Sequence, residues 1–382
     1  MSIGTKHRVF GLDAIRALAI VLVLFSHSSL LLFPNQDNLF LNLIRFFGAI
    51  GVDLFFVLSG FLIGGILLKQ LNAKKVMFKD FGYFWIRRWF RTLPNYYFIL
   101  IINIFLGYHF GEDIFDRLGY YFLFLQNFSS KQNEFFTESW SLSIEEFAYI
   151  IGPLLLYVGI YIFKRVPKHL LFLFITVFVI LGVGICRYYF HLNNVVSSDK
   201  EWSRVLRKVV VYRIDAIYYG FLAIYIASYF KRKWQEFRIY SLGFGMLLFF
   251  GMHIIIFYKM LSPENTPFFF NVFYLPLVSI SLLLFFPFML EIKGKGYLKK
   301  MITNLSVLSY SIYLMNYSIV MLTIQRFIDL RNSSGLQKME VLFLYWFLSI
   351  YLSYLLYKFF EKPFMDLRDK IYFKKFFNQF SN

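Results

Sequence analysis

A histidine stands eleven residues after an arginine in a stretch built otherwise from aliphatic residues: Gly11-Leu-Asp-Ala-Ile-Arg16-Ala-Leu-Ala-Ile-Val-Leu-Val-Leu-Phe-Ser-His27. At 3.6 residues per turn this gap is about three turns, so Arg16 and His27 share nearly one face, roughly 16 Å apart. Imidazole is the side chain best suited to take and return a proton near neutral pH. In such apolar surroundings both groups are costly and need polar company, which marks them as functional candidates. Asp13 lies one turn before Arg16 and is placed to pair with it. An anchoring ion pair would explain Asp13 and Arg16 alone, but not His27.

Company for His27 is available in the next apolar run, Gly48-Ala-Ile-Gly51-Val-Asp53-Leu-Phe-Phe-Val-Leu-Ser59-Gly60-Phe-Leu-Ile-Gly64-Gly65. Counted from inner ends near residues 12 and 68, His27 and Asp53 are both about 22 Å deep. A carboxylate beside an imidazole fixes its tautomer and raises its basicity, so Asp53 is a candidate orienter of a general base. A buried pair with a basic residue would also account for Asp53. Gly60 and Gly64 are spaced for close helix approach. Further on, Arg87, Arg88 and Arg91 gather three guanidiniums that suit bidentate phosphate contacts, or ordinary interfacial anchoring with Trp85 and Trp89. Glu138-Ser-Trp140-Ser-Leu-Ser143-Ile-Glu145-Glu146 opens another apolar run. Ser143 and Glu146 have capping-box spacing, which leaves Glu145 to meet the His27 level. Arg213 and Asp215 open a later run, where a local ion pair is the simplest expectation.

The elements that position these groups follow from composition. Of 382 residues, 59% are hydrophobic, 23% aromatic and only 16% charged, against about a quarter charged in soluble domains. Apolar runs near 12–33, 46–68, 92–110, 143–163, 170–190, 209–230, 239–259, 268–291, 301–327 and 339–358 are long enough to cross a bilayer. The expected fold is therefore all-α and polytopic, with about ten transmembrane helices in one membrane domain over residues 1–382. The stretch Tyr120 to Phe128 is too short to span and reads as re-entrant or interfacial. A net charge of +18 would point to nucleic acid in a soluble protein. Here the cations cluster between runs: Lys6 and Arg8; Lys69, Lys74, Lys75, Lys79 and the arginines at 87, 88 and 91; Lys164, Arg165 and Lys168; Lys231 to Arg238; Lys293 to Lys300; and the tail. The positive-inside rule then puts both termini in the cytoplasm. One loop breaks the rule: 191–208 holds Lys200, Arg204, Arg207 and Lys208 on the outer side. The single cysteine, Cys186, excludes an internal disulfide and a thiolate metal site, and no metal is expected.

With these residues in place, the chain resembles the acyltransferase-3 family of membrane acyltransferases, which modify cell-surface glycans and other acceptors. The stretches that carry the likeness are Leu12-Asp-Ala-Ile-Arg16 with the gap to His27, Gly51 to Gly60, Arg87 to Pro94 and Trp140-Ser-Leu-Ser-Ile-Glu-Glu146. Arg213-Ile-Asp215 with Gly220, Ser309-Tyr-Ser-Ile-Tyr-Leu314 and Glu361-Lys-Pro363 add to it. The resemblance implies catalytic roles for Arg16, His27, Asp53, Glu145 and Glu146, and acyl-CoA binding by Arg87, Arg88 and Arg91. Asp13, Trp140, Arg213, Asp215 and Asn316 become structural or acceptor-side candidates. It implies an O-acyltransferase of the inner (plasma) membrane that takes acetyl-CoA or another acyl-CoA as donor and a surface glycan or glycolipid, such as a polysaccharide or lipopolysaccharide, as acceptor. Two departures bear on the acceptor: Phe147-Ala148 replaces a usual Gln-Phe, and Asn316 stands where a histidine is common. No fused esterase-like domain is expected. The rivals are a proton-coupled secondary transporter, an assembly subunit without chemistry, and acyl transfer to a lipid or small molecule.

Overall fold

In a computed structural model the described residues are 8–34, 36, 38–72, 78–111, 114, 116, 118–330 and 333–369. Lys6, Lys74, Lys75 and the basic tail from residue 370 onward lie outside them. Ten long helices carry the ten expected runs: α1 Phe10–Leu32, α2 Leu39–Leu71, α3 Phe78–His109, α4 Ser139–Ile162, α5 Lys168–Asn193, α6 Val210–Tyr229, α7 Arg238–Tyr258, α8 Phe269–Met289, α9 Gly296–Phe327 and α10 Gly335–Arg368. Nine of these are long and apolar enough to cross a bilayer. The other is α3, whose 32 residues reach about 48 Å but whose apolar run is diluted by Asn95, Tyr96, Tyr97 and Asn103. With ten crossings, the N-terminal end of α1 and the C-terminal end of α10 face the same side, called here the N-terminal face.

The expected short element also forms as a non-spanning piece. Leu118–Phe122 is a single helical turn, followed by a left-handed residue, Phe124, at φ 60°. It is tied down rather than inserted: the Tyr96 and Tyr97 hydroxyls donate to the carbonyls of Tyr121 and Phe122 at 2.7 and 2.9 Å. Asn127 then donates to the carbonyls of Trp140 and Lys208 at 2.9 and 2.6 Å, and the N–H groups of Val210 and Val211 donate back to Asn127 and Phe128. This segment therefore locks the entry of α4 to the entry of α6.

Helix α2 is central, packed along α1 on one side and α6 on the other, and α1 also contacts α9. The α2–α6 crossing is backbone on backbone. A Cβ at Gly60 would stand 1.8 Å from the Ile217 carbonyl oxygen, and one at Gly220 would stand 2.2 Å from that of Val57. Gly64 faces Phe221 and Ile224 one turn further on. The Gly60–Gly64 pair thus serves close packing, and that approach brings the arginine at the start of α6 to the carboxylate on α2.

Candidate active site

Two chambers enter the bundle from opposite faces. The narrow one, of about 90 Å³, is lined near the N-terminal face by Arg16, Arg88 and Arg91 and further in by Ser59, Glu145 and Tyr313. Both Arg87 and Arg88 lie one turn before Arg91 on α3, and their partners separate them: Arg88 turns to Tyr149 inside the bundle and Arg87 turns away. Arg87 lies on the outer side of the helix, its guanidinium 5.6 Å from the Tyr83 ring centroid and bonded to the Tyr83 hydroxyl at 3.2 Å. Arg88 stacks 4.4 Å over Tyr149. Arg91 approaches Glu361 at 4.0 Å, which itself accepts from Asn95 and Ser311 at 3.1 and 2.7 Å. The narrow chamber therefore receives two of the three predicted phosphate-binding arginines, joined by Arg16.

Asp13 is only loosely paired with Arg16, at 3.9 Å. Its close partners are Arg8, at 2.6 and 3.1 Å, and the Ser306 hydroxyl at 2.8 Å. Arg16 thus keeps a guanidinium only partly compensated at the chamber wall. Glu145 accepts from the Ser59 hydroxyl at 3.2 Å and the Tyr149 hydroxyl at 2.8 Å, so it lies in the narrow chamber and not against His27. Glu146 accepts from Trp89 Nε1 at 3.1 Å and Thr92 at 3.0 Å. The expected Ser143–Glu146 capping box is corrected: α4 begins at Ser139, so Ser143 is one turn inside the helix, and its hydroxyl oxygen has no partner.

His27 is oriented by an amide rather than a carboxylate, which corrects the expected pairing with Asp53 or Glu145. Its Nδ1 bonds Asn316 Oδ1. Both amide hydrogens of Asn316 are committed to the carbonyls of Ile312 and Tyr313, at 2.7 and 2.9 Å, so the amide oxygen faces the ring. An acceptor at Nδ1 requires the proton there. In the neutral imidazole Nε2 then carries the lone pair, which is the tautomer a general base needs. The Asn316 position is set by a π-helical turn, Asn316–Met321 in α9, a widening of the helix common at functional sites. Tyr317 packs against the imidazole with ring centroids 4.9 Å apart. His27 remains partly accessible, unlike the fully buried Asn316.

Asp53 meets Arg213 instead, at 2.7 Å, with Arg207 at 3.7 Å. The expected local pair of Arg213 with Asp215 is likewise corrected. Two residues apart on one helix, they point to different neighbours, and Asp215 takes Arg187 of α5 at 2.8 Å. Arg213, Arg187 and Asp215 are each at most 1% exposed.

The second chamber, a vestibule of about 2190 Å³, opens on the face opposite the N-terminus. Its walls include Arg45 and Asp53 of α2, the segment around Lys208, and Tyr317 and Ser318 of α9. A thin layer separates the chambers. The Ser141 hydroxyl donates to the Tyr313 hydroxyl at 2.7 Å, and Tyr313 donates to the Glu138 carbonyl at 3.1 Å. Phe55 lies edge-on to Tyr313, and Phe56 edge-on to Trp140. Arg207 and Lys208 stand 5.1 and 5.9 Å from the Trp140 ring centroid. Burial and the neighbouring Arg207 and Arg204 push the Lys208 ammonium down to about 8.

Four members of this site were not singled out from the residue types: Glu138, Lys208, Tyr313 and Tyr317. The Glu138 carboxylate is buried, takes the Ser318 hydroxyl on one oxygen and leaves the other without a partner. A signal existed for two of them. Glu138 directly precedes the Trp140 motif, and Lys208 belongs to the loop that breaks the charge rule. Among the described residues no group of three or more His, Cys, Asp or Glu could hold a metal ion.

The chain is similar in sequence to proteins named as O-acetyltransferases. A peptidoglycan O-acetyltransferase of Listeria monocytogenes is 30% identical over 196 residues, covering 47% of this chain and 28% of that protein. A Bacillus subtilis protein named "Putative peptidoglycan O-acetyltransferase" is 35% identical over 178 residues, 42% of this chain and 26% of that one. A Staphylococcus aureus protein named "Putative O-acetyltransferase" is 25% identical over 383 aligned residues, 93% of this chain and 57% of that one. The matches thus span between about a quarter and somewhat over half of these relatives' lengths. No solved structure matches the chain. The model of the acyltransferase-3 family, described as an acyltransferase domain, matches residues 9–358, and the chain belongs to that family.

Proposed function

We propose that the protein is a membrane O-acyltransferase that moves an acyl group, acetyl in the simplest case, from acyl-CoA on the cytoplasmic face to a hydroxyl of a glycan or glycolipid on the other. One observation carries the reading. His27, held by Asn316 as the Nδ1-protonated tautomer, packs on Tyr317 of the wide vestibule's wall, and Asn316 in turn bonds the carbonyl of Tyr313, which lines the cationic narrow chamber. The family membership and the O-acetyltransferase names of the relatives support the same class of reaction.

In this mechanism the CoA phosphates meet Arg91, Arg88 and Arg16, the charge-assisted contacts that anchor a polyanion. The pantetheine arm carries the thioester past Ser59 toward Tyr313. The acceptor hydroxyl enters from the vestibule, and His27 Nε2 takes its proton as the oxygen bonds the thioester carbon. The carbon–sulfur bond breaks, and the departing thiolate recovers the proton from His27. For the reactants to meet, the Tyr313–Ser141 contact must open. The Asp53–Arg213 pair holds α2 against α6 beside the vestibule. Glu145 and Glu146 fix the Ser59, Tyr149, Thr92 and Trp89 wall of the donor side.

The separation of Arg91 from Arg87 gives the test. Arg91→Gln removes a charge from the donor chamber, and losing one such contact is worth about 1.5–3 kcal/mol, or roughly tenfold and more in affinity. Arg87→Gln touches only Tyr83 and the outer surface. Titration of reconstituted protein with acetyl-CoA should show the donor KM raised tenfold or more by Arg91→Gln and by less than about threefold by Arg87→Gln. Equal effects of the two substitutions would discard the assignment of the narrow chamber to CoA.

A further inference from the structure

The loop that violates the positive-inside rule is not explained by the acyl-transfer chemistry. Its four cations, Lys200, Arg204, Arg207 and Lys208, all line the vestibule, on the face away from the arginines assigned to CoA. Among the described lining residues, six lysines and arginines stand against three carboxylates, Asp53, Glu134 and Asp199. The pairing shows which charges are left over. Arg204 is neutralised by Glu134 at 2.6 Å. Arg207 and Arg213 share the one carboxylate of Asp53, at 3.7 and 2.7 Å. Lys208 has no ion-pair partner among the described residues. Its ammonium stands over the Trp140 ring, 5.9 Å from the centroid, and its backbone carbonyl accepts from Asn127. Lys208 and one of the two arginines that share Asp53 are therefore left without an ion-pair carboxylate of their own. Holding uncompensated charge away from bulk water is unfavourable. Such an arrangement is worth keeping where a counter-charge arrives with a ligand.

We propose that the vestibule is built for an anionic acceptor, a sugar carrying a carboxylate or phosphate near the hydroxyl to be acylated, and that Lys208 receives that anion. This rests on the acyl-transfer reading for the identity of the acceptor site, but the anion preference is a property of binding and is measurable without turnover. Lys208 and Tyr317, the ring packed on His27, line the same vestibule. In this proposal an anion held at Lys208 brings an adjacent hydroxyl toward the base. The aromatic wall of Trp202, Tyr274, Phe270 and Tyr317 suits the apolar faces of sugar rings.

The facing charged groups are Arg207, Arg204, Lys200, Glu134 and His27. Lys208 is cationic below about pH 8 and neutral above it, so the anion preference should be present at pH 7 and lost as the pH rises to 9.5. The probes are octyl glucoside, octyl glucuronide and octyl glucoside 6-phosphate, radiolabelled and bound to full-length protein in nanodiscs by equilibrium dialysis. At pH 7 one or both anionic glycosides should bind at least tenfold tighter than the neutral one, and which of them does so tells carboxylate from phosphate. Lys208→Gln should reduce the preference to within about threefold and abolish its pH dependence, which separates Lys208 from Lys200. Lys208→Arg should retain the preference at pH 9.5.

Equal binding of all three glycosides by wild-type protein, no binding of any, or an unchanged preference in a folded Lys208→Gln variant would each overturn the proposal. Should Lys208→Gln not fold, the wild-type pH profile and Lys208→Arg decide the matter. Transfer of label from acetyl-CoA, assayed in parallel, separates the two claims. Anion-selective binding without any transfer contradicts the acyl-transfer reading alone. Transfer with no anion preference contradicts this one alone.

Discussion

Replacing His27 with Ala should lower acyl transfer by about a thousandfold or more while leaving the protein folded and its affinity for donor unchanged. General-base catalysis by a positioned imidazole is worth about 10²–10⁴, and His27 is the described histidine placed at the layer between the chambers. The donor contacts are elsewhere: Arg16, Arg88 and Arg91 line the narrow chamber, and His27 does not. The substitution also removes a side chain that is only partly buried, so the packing loss is small. Radiolabelled acetyl transfer, donor KM and the elution profile of the extracted protein together check all three parts. Transfer within tenfold of wild type would remove His27 from the chemistry.

Asp53→Ala should fail differently, by destabilising the fold. Arg213 is 0% exposed, and its Nε and Nη1 already lack partners, so Asp53 is the group that compensates it. Removing one member of a buried ion pair costs about 3–5 kcal/mol because the other charge is stranded. The loss should appear as a lowered midpoint of thermal unfolding in detergent and a reduced yield of monodisperse protein. Replacing both partners with apolar residues, Asp53→Leu with Arg213→Met, should recover much of that stability, since no charge is then left alone. An Asp53→Ala protein as stable as wild type yet inactive would instead place the carboxylate in the reaction.

The helices were readable from the sequence because lipid imposes one rule on every residue of a span: the long apolar runs form the helices, and the stretch around 118–128 stays outside the count. The phase of Arg16 with His27 was equally readable, since both belong to one helix of known pitch. What belongs to contacts between helices was not. His27 and Asn316 are 289 positions apart, and nothing local says that the amide rather than Asp53 faces the ring. Counting depth from the helix ends could not say which way Asp53 points. In the fold it points to α6, where Gly60 and Gly220 let the backbones touch.

The start of α4 was misplaced because Ser143 looks like a cap, whereas the apolar pattern extends back to Ser139. Arg87 was not separable by spacing, because positions three and four before Arg91 are both its helix neighbours; only the partners Tyr83 and Tyr149 divide Arg87 from Arg88. The outer cations of the 191–208 loop were noted as an exception, and their shared placement in the vestibule gives the exception a reason.

The central claim is that donor and acceptor approach from opposite faces and meet at His27. It is tested most directly in sealed proteoliposomes, with membrane-impermeant labelled acetyl-CoA in one compartment and glycan acceptors, neutral and anionic, in the other. The account predicts ester-linked label on the glycan across the bilayer in wild-type vesicles and none with His27→Ala. Label on the glycan only when both reactants share a compartment, or in neither arrangement, would contradict it.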